Sequence, residues 1–179
     1  MSASLGEIYL QSVIKRLLSY KDLGDKTFAQ LEEKDFHYQP NPQSNSISII
    51  IGHMSGNMIS RFTNFLTEDG EKEWRNRDAE FEEQGYSKQK CIELWEKGWA
   101  VVFESIMALT ENDLTRTIHI RTEALTVIDA INRQLAHYPH HVGQIVYIGK
   151  MLRNDQWKSL SIPRGHSETF NKKMAGEGK

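Results

Sequence analysis

Apolar side chains recur along this chain at the three- and four-residue spacing that gathers them on one face of a helix. In residues 5–23 the stripe is Leu10, Ile14, Leu17 and Leu18, with Lys15, Lys21 and Asp22 between them, and Gly24 reads as the stop. Phe28 and Leu31 fit a short further turn within residues 27–33. Gln39-Pro40-Asn41-Pro42-Gln43-Ser44-Asn45 then has the chemistry of a loop. Ser46 is placed as the N-cap of a second helix over about residues 47–66. That helix carries two stripes. Met54, Met58, Phe62, Phe65 and Leu66 form an apolar one, and His53, Asn57, Ser60, Arg61 and Asn64 a polar one. Spacing alone makes the polar stripe a solvated face; the competing reading is that its first members line a polar cavity.

Residues 67–85 break the pattern. They are charged, with Trp74 and Phe81 as their only large apolar side chains, and such a long connection is the length of a lid or crossover. Helix three follows from about Ser87, with Cys91, Leu94, Trp95, Val102, Ile106 and Leu109 on one side. Cys91 belongs to that stripe, so it reads as a packed thiol rather than a nucleophile. Thr117-Ile118-His119-Ile120-Arg121 alternates like a short extended segment, which turns His119 outward. Helix four starts near Thr126, where Asp129 three residues on completes a capping-box-like pair, and runs to about Arg153. Pro163 and Gly165 discourage a helix in the tail, so residues up to about Phe170 are expected to wrap over the helices and residues 171–179 to fray.

These elements predict an all-α protein. Its domain spans residues 1–170 as a four-helix bundle, with a long connection between helices two and three and a wrapping tail. Composition narrows the picture without changing it. The 179 residues, 39% hydrophobic and 26% charged, suit one well-buried domain. The 22 basic and 24 acidic side chains are dispersed, which argues against nucleic acid or an anionic membrane as the main partner. No apolar run approaches the roughly 20 residues that span a bilayer. The start, Met1-Ser2-Ala3-Ser4-Leu5-Gly6-Glu7, lacks the basic opening and apolar core of a secretory signal, so a cytoplasmic location is expected. The single cysteine excludes an internal disulfide and a multi-cysteine metal site.

The chemistry concentrates in His137-Tyr138-Pro139-His140-His141, where three of the seven histidines fall in five residues. His137 and His141 are four apart, so on a helix they lie about 40° apart around the axis and one turn apart along it. Arg133, Gln144 and Ile148 lie on the same side, while Ile128, Leu135, Val142 and Val146 lie opposite. A stripe of Arg, His, His and Gln on a helix with an apolar far side faces something polar inside. Two neutral imidazoles at this spacing suit one borderline divalent cation such as Zn or Ni. A third ligand must come from elsewhere. His53, near the start of another long helix, is the best candidate, because bundles build metal sites from facing helices; His37, His119 and His166 fall in loops or the tail. Tyr138 occupies the place of the Glu in the zincin pattern, so a metalloprotease reading fails. Pro139 predicts a kink that frees the carbonyl of Leu135, and His140, about 60° from His137, reads as flanking the site.

Ile51-Gly52-His53-Met54 on helix two, taken with His137-x-x-x-His141-Val142-Gly143-Gln144-Ile145 on helix four, resembles the DinB-like superfamily. Arg133-Gln134-Leu135-Ala136-His137-Tyr138-Pro139 and Trp157-Lys158-Ser159-Leu160-Ser161-Ile162-Pro163-Arg164-Gly165 look like a branch of unknown function within it. The resemblance implies a four-helix bundle with His53, His137 and His141 as ligands of a divalent metal, Zn or Ni, and homodimerisation. It also implies thiol-dependent transferase or related hydrolase or isomerase chemistry, on a small-molecule substrate with a low-molecular-weight thiol.

As an enzyme, the chain would use Gln144 and Asn57 to orient bound species and Arg133 to receive an anionic group; each also has an ordinary structural reading. The competing class is a non-catalytic metal-binding or stress-response bundle with a structural metal, which a fourth protein ligand would mark. A last expectation is that Ser161-Ile162-Pro163-Arg164-Gly165-His166 folds across the mouth of the site.

Overall fold

The computed structural model describes residues 2–177. Helix α1, Leu5–Phe28, opens on a complete capping box: the Ser4 side chain accepts from the Glu7 backbone, and the Glu7 carboxylate accepts from the Ser4 backbone. It does not stop at Gly24. That glycine sits in mid-helix because the Trp95 ring packs directly on it, where a Cβ would fall 2.3 Å from the ring. After a 3-10 turn at Glu33–His37, Ser46 accepts from the Ile49 backbone at 3.2 Å and starts α2, Ile47–Phe62. Helix α2 ends four residues before the expected Leu66. Thr63 is extended and Asn64 takes φ +51°, the left-handed conformation that closes many helices.

Helix α3 is Lys88–Met107, capped by Ser87, and α4 is Val127–Arg153, capped by Thr126, which accepts from the Asp129 backbone. Pro139 lies inside α4 without interrupting it. Between them the expected extended segment is β1, Thr117–Ile120, with His119 exposed. It pairs antiparallel with a strand the pattern does not announce, β2, Glu123–Thr126. The turn residues Arg121 and Thr122 both have positive φ, a strain for non-glycine residues, and Asp69 relieves it by accepting both their backbone N–H groups.

The protein is mostly helical, as expected of an all-α chain, with this hairpin added. Helix α2 packs on α3 and α1 on α4; α1–α3 and α2–α4 contacts close the set around one apolar core. Its centre is aromatic. Trp95, Trp99 and Tyr138, all fully buried, meet edge to face at 5.5 and 5.7 Å, a favoured ring geometry. Cys91 is buried there, and burial pushes its thiol up, so it is a packing group.

The tail docks first and then leaves. Trp157 lies against Gly149, and Gln30 and Lys158 exchange two hydrogen bonds. A fifth helix, α5, Ser167–Glu177, starts just beyond Pro163 and Gly165, so residues 171–177, expected to fray, are helical. Among the described residues no helix is long and apolar enough to cross a membrane.

Candidate metal centre

The polar stripe of α2 points inward. His53, Asn57, Ser60 and Arg61 are all buried, and only Asn64, past the helix end, is exposed. This side of α2 is not a solvated face because the charged connection lies over it, as the contact between α2 and the 3-10 turn Ala79–Phe81 records. Across from it, α4 presents His137 and His141.

The three imidazoles converge. His137 Nε2 lies 3.4 Å from His53 Nε2 and 3.1 Å from His141 Nε2, and donor atoms of all three lie within 4.8 Å of one another. Four bonds to nitrogen of about 2.0–2.1 Å in tetrahedral geometry put donors about 3.3 Å apart, so the observed spacing fits a shared cation. The protons fit as well. His53 Nδ1 faces the Glu80 carboxylate at 3.0 Å, and His141 Nδ1 faces Gln144 Oε1 at 2.9 Å. Both partners accept hydrogen, so both Nδ1 atoms carry it and both Nε2 lone pairs are bare. Two bare lone pairs then face His137 Nε2, whose single hydrogen could satisfy only one. Burial, reinforced by His141 and His53, pushes His137 down to about 3 and also lowers His141, so both are neutral and competent as ligands at neutral pH.

Glu80 supplies what the helices lack. Burial works to raise its carboxyl, but Arg75 and His53 outweigh burial and hold it below the usual carboxylate range. Arg75 forks onto both Glu80 oxygens at 2.7 and 2.8 Å, and the Phe81 ring lies 4.6 Å from the His53 ring. The sequence pattern offered no general base and did not single out Glu80 or Arg75. The only local signal was Phe81, an apolar residue in a charged run.

The remaining expected site residues divide. Gln144 touches the cluster through His141. Asn57 accepts from the Tyr138 hydroxyl at 3.2 Å and lines a cavity of about 520 Å³ beside the histidines. Arg133 lines the same cavity and pairs loosely with Glu123 at 3.3 Å near the surface. His140 is exposed and touches Gln144, which agrees with a flanking place. Residues 161–166 are exposed and do not line this cavity, so the segment does not cover its mouth.

A family model described as "Protein of unknown function (DUF1572)" matches residues 4–166. No curated protein and no solved structure matches the chain.

Proposed function

The chain belongs to the DUF1572 family, whose function is unknown, and we propose that it is a divalent-metal-dependent enzyme of the DinB-like four-helix type. In this reading His53, His137 and His141 hold Zn or Ni, and the protein works in the cytoplasm as a homodimer on a small molecule, with a low-molecular-weight thiol as co-substrate. Thiol-dependent transfer is the favoured chemistry, with hydrolysis or isomerisation as its relatives.

The observation that carries the reading is the convergence of three Nε2 atoms, two with bare lone pairs, beside an accessible cavity. A cation held there would supply Lewis acidity toward a thiol or water in its open positions. The chain's own residues do the positioning. Glu80, locked by Arg75, keeps the hydrogen of His53 on Nδ1, and Gln144 does the same for His141. Asn57, its Oδ1 held by the Tyr138 hydroxyl, lines the cavity and is placed to contact a bound species. A structural metal would favour a fourth protein ligand; among the described residues the cluster is the three histidines, two of which, His53 and His137, line the cavity.

Metal analysis by mass spectrometry tests this directly. The purified protein is expected to hold about one divalent ion per chain, and His53→Ala and His137→Ala to lose it. Undiminished metal in both variants would overturn the site.

A further inference from the structure

The cavity beside the histidines is unusual in its charge. Four arginines line it, Arg61, Arg77, Arg121 and Arg133, and no carboxylate does. Carboxylates lie behind some of them, and their arrangement decides how much charge is left. Arg61 and Arg121 share one partner, Glu71, at 3.0 and 2.8 Å, and Asp69 is spent on the backbone of the hairpin turn. Arg133 has one long contact, with Glu123, in which both side chains are well exposed, and such pairs are easily exchanged for another anion. Among the described residues Arg77 pairs with no carboxylate; its guanidinium lies 5.7 Å from the Phe81 ring centre. Two of the four are therefore available to a ligand, and the other two add field.

A second observation points into the same space. Gln134, only 4% exposed, lines the cavity; among the described residues its side-chain Oε1 is buried without a hydrogen-bond partner. A buried amide oxygen left unpaired is costly, so a polar group supplied by a ligand is the natural partner.

We propose that this cavity receives an organic anion bearing at least two acidic groups, with Arg77 and Arg133 gripping them and Gln134 binding a neutral polar group between. The inference names the substrate class for the metal site proposed above and rests on that reading for its chemistry, but not for the binding itself, since the arginines and Gln134 act without the cation. The acidic groups are carboxylates or a phosphate, which both suit guanidinium forks.

The test is calorimetric titration of succinate, its neutral diamide succinamide, and inorganic phosphate into the full chain, with and without metal. Arg77→Gln and Arg133→Gln serve as variants, because both positions lie at the cavity rim and their loss leaves the core intact. Succinate or phosphate is expected to bind both metal-loaded and metal-free protein, succinamide to bind neither, and each variant to weaken binding about tenfold. The stronger of the two anions identifies the acidic group. Equal binding of succinamide, or binding that survives the double variant and vanishes with the metal, would overturn the proposal while leaving the metal site standing. Metal-free chains that still bind succinate through the arginines would keep the proposal even if metal analysis refuted the site.

Discussion

The two halves of the candidate centre are built by different physics. The helical half, α2 and α4, places three histidines through backbone periodicity: His137 and His141 are one turn apart, and His53 faces them from a helix whose flanks are buried. The other half comes from the connection between α2 and α3, where almost nothing is periodic. There, Glu80 and Arg75 are held by an ion pair with side chains 11% and 1% exposed, with Phe81 lying on His53. Helices set where nitrogen atoms are. The connection sets which nitrogen of His53 carries hydrogen, as Gln144 on α4 does for His141, and it brings Arg77 to the cavity. A cluster of histidines can thus be rigid in position yet depend on a loop for the tautomer of one of its members.

The largest blow to the loop half is Glu80→Ala. It strands the buried Arg75 guanidinium, one of whose nitrogens already has no partner, and leaves His53 Nδ1 without its acceptor. Breaking a buried ion pair from one side costs about 3–5 kcal/mol, a drop on the order of 10 °C in Tm. Losing an outer carboxylate weakens metal binding about 10–100-fold. Glu80→Gln keeps an acceptor and should lose less in both respects. Thermal unfolding and competition with a chelator measure the two effects. If Glu80→Ala left metal affinity unchanged, the division of labour between helix and loop would be wrong.

Tyr138→Phe probes the helical half and should cost less. Tyr138 is fully buried, burial raises its phenol, and its hydroxyl is the donor to Asn57 Oδ1. Removing it leaves one buried acceptor unpaired, about 1–3 kcal/mol by chemical denaturation. Metal stoichiometry should not change, because α4 holds His137 and His141 by its backbone. Loss of metal in this variant would mean that side-chain packing, and not helix geometry, aligns the ligands.

The same contrast explains what could be read from residues alone. Ser46 and Thr126 announced their helices because an N-cap is a local bond, and the pairing of His137 with His141 followed from a period of 3.6. The fate of the α2 stripe was not local: His53, Asn57 and Arg61 look like a wet face until the connection covers them. Gly24 misled for a similar reason, since its use is a contact with Trp95 on another helix. Glu80 was hidden among Glu71, Glu73, Glu82 and Glu83, and no period distinguishes one carboxylate in such a run. The β2 strand escaped because its turn, Arg121-Thr122, carries no glycine or asparagine and depends on Asp69, distant in sequence.

That dependence gives the smallest and most specific prediction. Burial works to raise the Asp69 carboxyl, but the backbone N–H groups of Glu71, Thr122 and Arg121, helped by Arg61, bring it below the ordinary carboxylate range. A carboxyl lowered on folding contributes stability in full above its unfolded pKa, about 3.9, and loses it as pH falls through the lower folded value. Asp69 is largely solvated, so screening limits the contribution to under about 1 kcal/mol. Asp69→Asn should therefore lower the denaturation midpoint slightly near pH 7, and the gap to the wild type should close as pH falls through and below the ordinary carboxylate range. Metal content should be the same in both, because the turn touches the arginine side of the cavity and none of the histidines. A gap that stays constant with pH would show that the hairpin turn is held by shape alone, and that the loop half of the molecule draws nothing from this carboxylate's charge.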